Sequence, residues 1–515
     1  MMKLTTPSIA AQWLRGRVTG TLQTDSRKIR SGDGFIAWPG AAADGRHHVA
    51  DALARGAQAC LVEHFGVQAF GFEDTRVASY PQLKAASGPI AAVYFDEPAR
   101  QLAILAVTGT NGKTSTAWWL AQALSGIEGV EKRPCAMVGT LGVGRPPAIG
   151  TEFGALEPQA GIATTGLTTP DPVLLQQKFR EFLDQGLVAC AIEASSIGIE
   201  ERRLDGSPIR TAIFTNFTQD HLDYHGTMAA YWQAKSSLFR WAGLESAVVN
   251  VDDPKGDALA SSLKGVIPDV WTVSCVTDAR LKASDIAYGE QGLSFAVTEG
   301  NEKHLLQTRL IGQYNVSNLL GVMAAMRSLG VSLKSVIQVC HKLTPVPGRM
   351  ECFGGSGQPM VVVDYAHTPD ALDKALEALR PLAAQRGGLI WCVFGCGGDR
   401  DPGKRPLMGA VAAKIADHVI VTSDNPRGEN PRAIIDQILP GLLHHSRVIT
   451  QEDRALAVAQ TITQAVAHDV VLVAGKGHED YQEVAGVKRP FSDIDHVKRA
   501  LSAWPSPSLH VAEVA

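Results

Sequence analysis

Beyond about residue 99 the chain repeats one unit: a short apolar run, a polar glycine-rich turn, then an amphipathic stretch. In the last third, the runs PMVVVD, LIWCVF, HVIVTS and DVVLVAG lead into YAHTPD, GCGGDRD, DNPRGEN and KGHEDY respectively. Such alternation predicts an α/β fold in which crossover helices join the strands of a parallel sheet. One helix is legible residue by residue. Thr368 can cap it, Pro369 suits its first turn, and Leu372, Leu376 and Leu379 share a face. Ligands of such sheets bind at the carboxyl ends of the strands, so the polar turns are where chemistry is expected.

The length of 515 residues allows three domains, each with its own core. Three zones are visible: 1–98, with short apolar segments broken by glycine and charge; 99–345, opening with the strand-like LAILAVTG; and 346–515, set off by the two prolines of LTPVPGRME. A Gly/Pro-rich insertion at roughly 144–166 reads as a mobile loop. The net charge of −4 argues against a nucleic-acid partner. No run approaches the ~20 apolar residues of a membrane span, and MMKLTTPSIAAQWLRG lacks the features of a secretion signal, so a cytoplasmic protein without membrane insertion is expected. Eight scattered cysteines without metal-type spacing read as buried structural thiols.

The segment AVTGTNGKTSTAWWLAQAL places Gly109, Thr110, Asn111, Gly112, Lys113, Thr114 and Ser115 between a strand and a helix. Glycines there let backbone amides close around phosphates, and the helix N-terminus adds positive potential. Lys113 would reach the terminal phosphates of ATP and the Thr114 hydroxyl would ligate Mg²⁺. The strict GxxxxGK[ST] pattern fails, because Val107 stands where a glycine is required. Two further strand-like runs end in chemistry: ACAIE in Glu193, and TAIFTN in a turn carrying Asp220, His221, Asp223 and His225. Mg²⁺ takes hard oxygen ligands, one or two from protein and the rest from phosphates. Lys235 borders a helical stripe of Tyr231, Ala234, Leu238 and Trp241; in isolation such a lysine is most often one that snorkels to solvent.

TGTNGKTS closely resembles the phosphate loop of the Mur ligases and of their relative, folylpolyglutamate synthetase. The resemblance spans essentially the whole chain. It implies a central P-loop-type, mostly parallel sheet, a C-terminal Rossmann-like domain and a small N-terminal α/β domain that binds UDP. Glu193, with Thr114, is assigned to one Mg²⁺ and His221 to a second. The lysine matching Lys235 is carbamylated in the family, CO₂ converting its amine into a carboxylate-like ligand. Asn315 and Asn318 in GQYNVSN, with Arg349, Asp364 and His367, match residues near the nucleotide, although an asparagine at a helix start is commonly a cap. TDSRKIRSGDGFIAWPGAAADGR matches the UDP-sugar segment, pointing to Thr24, Ser26, Ala41, Ala42 and Ala43. Thr168, Thr169, Ser195, Glu201 and Arg203 match positions that hold the muramoyl peptide, with two departures: Ile197 replaces a histidine and Glu201 a glutamine.

The third zone bears on which amino acid is added. A zwitterion needs a cation for its carboxylate and an anion for its ammonium, and arginine grips a carboxylate through two parallel hydrogen bonds. Arg400, the run Asp424-Asn425-Pro426-Arg427, Gly475 and Glu479 lie on three separate turns, and DNPR matches the family's diaminopimelate signature. An Arg427 left unpaired against lysine would cost about 2 kcal/mol, roughly 30-fold. The resemblance thus implies a monomeric ATP- and Mg²⁺-dependent ligase joining meso-diaminopimelate to the D-glutamyl side chain of a UDP-linked muramoyl dipeptide. A lysine-adding or folylpolyglutamate-type ligase, or an ATP-driven switch protein, are the competing readings. DNPR counts against the first, the UDP-type segment against the second, and an amino-acid clamp on three turns against the third.

Overall fold

The computed structural model describes residues 1–40, 43–150, 161–289, 292–355 and 357–504. Ala41, Ala42 and residues 151–160 of the insertion expected to form a mobile loop lie outside them. Close packing divides the chain into two compact units. Met1–Asn216, Trp232–Val273 and Gly321–Val339 make the first, and Phe217–Tyr231, Ser274–Leu320 and Cys340–Ala515 the second.

The first unit holds two sheets. The strands β1 (Met2–Lys3), β2 (Leu22–Gln23), β3 (Gly34–Ala37), β4 (Ala59–Glu63) and β5 (Val77–Tyr80) form an all-parallel sheet in the order β1-β5-β4-β3-β2. The larger one contains β6 (Ala103–Thr108), β7 (Cys135–Gly139), β8 (Gly142–Gly144), β9 (Ile162–Ala163), β10 (Ala189–Glu193), β11 (Thr211–Phe214), β12 (Ser246–Asn250) and β13 (Asp269–Ser274). Their order is β13-β12-β11-β6-β10-β7-β8-β9, parallel from β13 to β7 and antiparallel at β8 and β9. At its centre, β10 and β11 are buried along their whole length, as is β6 beyond its first residue. Continuous apolar runs are what a parallel strand covered on both faces requires. Since β6 pairs with β10 on one side and β11 on the other, the turns that follow these three strands emerge side by side at one edge.

In the second unit, β17 (Glu351–Gly354), β18 (Met360–Asp364), β19 (Ile390–Phe394), β20 (His418–Val421), β21 (Val448–Thr450) and β22 (Val470–Ala474) form a sheet in the order β17-β18-β22-β19-β20-β21, parallel except for β17. A hairpin, β23 (Tyr481–Val484) and β24 (Val487–Pro490), follows it. The helix Pro369–Arg386 has the features expected: Thr368 Oγ1 accepts from the Ala371 amide, and Leu372, Leu376 and Leu379 are buried. The strand–helix alternation read for the middle zone breaks where three strands, β14 (Leu281–Gly289), β15 (Gly292–Glu299) and β16 (Glu302–Thr308), run antiparallel. Their side chains alternate between cover and solvent, as in Glu302–Thr308, which suits a sheet with one wet face.

The buried-thiol expectation holds for six cysteines; Cys275 is half-buried and Cys352 exposed. Burial pushes the Cys135, Cys340 and Cys396 thiols up to about 12, which keeps them protonated and inert. Among the described residues, no helix is long and apolar enough to cross a membrane.

Beneath the turns of the last sheet lies a buried ion pair. Arg454 and Asp493, neither with any exposed side-chain surface, meet through two hydrogen bonds of 2.7 Å. The same guanidinium donates to the carbonyls of Ala474, at the end of β22, and Ser423, just past β20. It therefore ties together the ends of two strands whose following turns carry predicted site residues. Replacing Arg454 with methionine strands the Asp493 carboxylate without its partner, and should cost about 3–5 kcal/mol of unfolding free energy. Urea denaturation followed by far-UV circular dichroism measures this; a loss below about 1 kcal/mol would show the pair to be incidental.

Candidate active site

In the first unit the carboxylate of Glu193, at the end of β10, has no exposed surface. Its Oε1 accepts from the Thr140 amide at 2.7 Å, and its Oε2 from the hydroxyls of Thr114 at 3.0 Å and Thr140 at 3.2 Å. Thr114 follows β6 and Thr140 follows β7, so residues from three strand ends converge on one carboxylate. Gly139 makes this approach feasible, because a Cβ there would collide with the Glu193 carboxylate. The Thr168 hydroxyl lies 3.1 Å from that of Thr140.

Gly112 leads directly into the helix Lys113–Gly126, whose first turn buries Thr114 and Ser115. The preceding turn is pinned to the end of β11: the Thr110 amide donates to the Asn216 carbonyl, and the Asn111 amide to the Asn216 side chain, both at 2.9 Å. Lys113 Nζ donates to the carbonyls of Gly109 and Thr110 at 2.9 and 2.8 Å. Lys235 Nζ also reaches Gly109 O, at 2.7 Å, and its side chain is buried rather than snorkelling. Both predicted lysines thus meet on the turn after β6.

The peptide-binding candidates form a second knot in this unit. The Thr169 hydroxyl donates to Glu193 O at 2.7 Å, Ser195 Oγ lies 3.0 Å from it, and Arg203 donates to Thr169 O at 2.9 Å. Ser195 also caps the short helix Ser196–Glu200. The Glu201 carboxylate is ion-paired with Lys84 at 2.6 Å, while Ile197, the other departure, is half-buried. In the N-terminal sheet, Ser26 is buried in a turn capped by Asp25, Thr24 bonds to Asp171, and Ala43 O accepts from Gly40 N.

The second unit carries a cleft of about 280 Å³. His221 and Asp223 line it, together with every predicted amino-acid-binding residue except Pro426, whose carbonyl closes the turn onto Glu429 N. Arg427 has a left-handed backbone (φ 51°), which costs a non-glycine residue about 1 kcal/mol. The hairpin holds it there, as Arg427 N donates to Glu483 O and Ala485 N to Arg427 O, while Arg427 Nη1 donates to Gly398 O in the turn after β19. Gly475 is required where it stands, since a Cβ would strike the Asp424 carboxylate. Arg400 pairs loosely with Asp223 at 3.4 Å. Burial raises the Asp220 carboxyl, but the charges of His221, His367 and Lys404 outweigh it and hold the group below its usual range. Burial, with Lys404, pushes the His367 imidazole down to about 4, so it is neutral at physiological pH.

Asn315 and Asn318 lie inside the helix Tyr314–Ser328, not at its cap. Asn315 Nδ2 donates to Ile311 O, and Asn318 Nδ2 to Asn315 Oδ1. Asp364, raised by burial and opposed by Arg349, accepts from the Met350 amide at 2.8 Å, while the Arg349 guanidinium stacks 4.2 Å from the Tyr365 ring centre. Among the described residues no three His, Cys, Asp or Glu side chains gather into a metal cage.

Three family models match in succession: "Mur ligase family, catalytic domain" at residues 20–106, "Mur ligase middle domain" at 107–326 and "Mur ligase, glutamate ligase domain" at 348–477. The chain belongs to the Mur ligase family. As a Mur ligase it is an ATP-dependent enzyme that forms amide bonds. It is 60% identical over 503 residues to the UDP-N-acetylmuramoyl-L-alanyl-D-glutamate–2,6-diaminopimelate ligase of Acidovorax sp. (strain JS42), covering 97% of this chain and 98% of that one. The ligase of the same name from Pseudomonas aeruginosa is 44% identical, with 94% and 96% covered. A solved structure of a ligase bearing that name matches with a TM-score of 0.63, 35% identity and 94% of each chain covered. The MurF ligase of Thermotoga maritima in complex with ADP shares the fold, with a TM-score of 0.64 at 18% identity, covering 95% of this chain and 98% of that one.

Reading the sequence of this Mur ligase missed Thr140, which donates twice to Glu193, and Lys476, which is bonded to the cleft-lining Asn425 and Glu479. Each sits one residue past a glycine at a strand end, the same local signal that exposed the phosphate turn. Gly139→Ala should displace the Glu193 carboxylate and lower the rate of ATP-dependent phosphate release about 100-fold, with the fold intact by circular dichroism. A rate within about two-fold of the parent would show that Glu193 has no such role.

Proposed function

We propose that this Mur ligase joins meso-2,6-diaminopimelate to the D-glutamyl side-chain carboxylate of UDP-N-acetylmuramoyl-L-alanyl-D-glutamate, in peptidoglycan precursor synthesis, acting as a monomer in the cytoplasm. The observation that carries this reading is the cleft where Arg400, Asp424, Asn425, Arg427 and Glu479 face one space. It offers cations for a distal carboxylate and anions for a distal ammonium, as diaminopimelate requires. The relatives named above for this reaction support it, as they span nearly the whole chain. On this reading residues 1–98 hold the UDP-muramoyl end, with Thr24, Ser26 and the Ala41–Ala43 stretch as contacts. Residues 99–345 hold ATP, and 346–515 hold the amino acid. Thr168, Thr169, Ser195, Glu201 and Arg203 hold the peptide, while Asn315, Asn318, Arg349 and Asp364 contact the nucleotide.

The reaction runs in two steps. An oxygen of the glutamyl carboxylate attacks the γ-phosphorus of ATP, giving an acyl phosphate and ADP. The free amine of diaminopimelate then attacks the acyl carbon, and phosphate departs as the amide forms and the amine loses a proton. Lys113 and the amides of residues 109–115 offset charge on the transferring phosphoryl group, a positioning and electrostatic task. The hydroxyl of Thr114 and the carboxylate of Glu193, 3.0 Å apart, are hard oxygen donors suited to Mg²⁺, with His221 available to a second ion. Bound there, Mg²⁺ neutralises phosphate charge. Lys235 is buried on the phosphate turn, where carbamylation by CO₂ would exchange a cation for an oxygen ligand.

Two measurements test this. In competition between diaminopimelate and lysine, Arg427→Ala should cut the preference for diaminopimelate about 30-fold while leaving the KM for ATP in place; unchanged discrimination would remove Arg427 from the clamp. Protein equilibrated with ¹³C-bicarbonate should show a carbamate carbonyl resonance that Lys235→Met lacks. Identical spectra would rule out the modification.

A further inference from the structure

Lys476 contributes nothing to the surface of the cleft, yet two of the residues that do line it, Asn425 and Glu479, are bonded to it. Its side chain has no exposed surface, and its ammonium donates to Asn425 Oδ1 at 3.1 Å and to Glu479 Oε2 at 2.9 Å. The Asn425 amide in turn donates to the same Glu479 oxygen at 2.8 Å. The three side chains close a triangle. Asn425 Oδ1 also accepts from the Glu483 amide at 2.9 Å, which fixes the triangle to the hairpin that braces Arg427. The Glu479 amide donates back to Lys476 O at 2.9 Å, so the short loop between them has little freedom.

From this we infer that Lys476 is a positioning residue that sets the specificity of the amino-acid clamp. Glu479 Oε2 is held by two donors, which restrains the carboxylate, while Oε1 accepts from the Tyr365 hydroxyl at 3.5 Å; Glu479 and Tyr365 both line the cleft. A buried ammonium demands a carboxylate partner, and this demand fixes where Glu479 stands. The inference rests on reading the cleft as the amino-acid site. It assigns Lys476 no contact with substrate; its action passes entirely through Glu479 and Asn425.

A double-mutant cycle decides it. Steady-state KM for diaminopimelate, KM for ATP and kcat are measured for the full-length parent, Lys476→Met, Glu479→Gln and the double variant, with ATP and UDP-muramoyl dipeptide saturating as appropriate. Lys476→Met should raise the KM for diaminopimelate about 10- to 100-fold. The KM for ATP should move by less than about two-fold, and the same substitution in the Glu479→Gln background should add less than about two-fold. Multiplicative effects in that background, or a parallel rise in the KM for ATP, would overturn the inference by showing a general structural role. If Lys476→Met does not fold, Asn425→Ala removes the other half of the grip and enters the same cycle. A parent enzyme that does not turn over diaminopimelate would refute the substrate reading instead, and the cycle would then be run on the amino acid it does accept.

Discussion

A carboxylate shut away from water must be answered by donors, and Glu193 is answered by three, from Thr114 and Thr140. Hydrogen bonds to an ionised group contribute about 1.5–3 kcal/mol each, enough to hold its position against the cost of burial. Those donors stand on the turns after β6 and β7, while Glu193 ends β10 between them. The register of three parallel strands is therefore coupled to the placement of one oxygen pair. The glycine turn after β6 inherits that precision, because Thr114 stands in the first turn of the helix it leads into.

The second unit solves a related problem with buried cations. Arg454 ties the ends of β20 and β22. Arg405, almost wholly buried, bonds both oxygens of Glu429 and the Gly397 carbonyl, linking the turns that carry Arg427 and Arg400. Lys476 joins Asn425 to Glu479. Turns between elements are the most mobile parts of a fold, and a selective site built on them needs bracing from below. Here the turns after β19, β20 and β22 are cross-linked to one another by charges that could not be buried alone.

The left-handed backbone of Arg427 fits this pattern. Backbone strain persists only where the surroundings over-determine it. The hairpin Tyr481–Pro490 supplies that determination through two backbone hydrogen bonds, although by sequence it is an unremarked polar stretch after the last strand of the sheet.

Sequence alone determined the strand–turn–helix rhythm, the glycine turn that carries Lys113 and Thr114 into a helix, and the polar turns at the strand ends. These are local matters of hydrophobic period and glycine placement, readable within a dozen residues. The antiparallel strands at Leu281–Thr308 escaped that reading, since alternation on a half-covered sheet competes with the rhythm on either side. Only the tertiary structure decided that Thr140 answers Glu193, that Lys235 is buried against Gly109, that Glu201 pairs with Lys84 and that Lys476 holds Glu479. Apart from the last, these contacts join residues 53 or more apart in the chain, and even Lys476 draws its meaning from Asn425, 51 residues away. No local pattern encodes such a meeting. It follows from the order in which parallel strands lie side by side, which brings turns distant in sequence to one edge of a sheet.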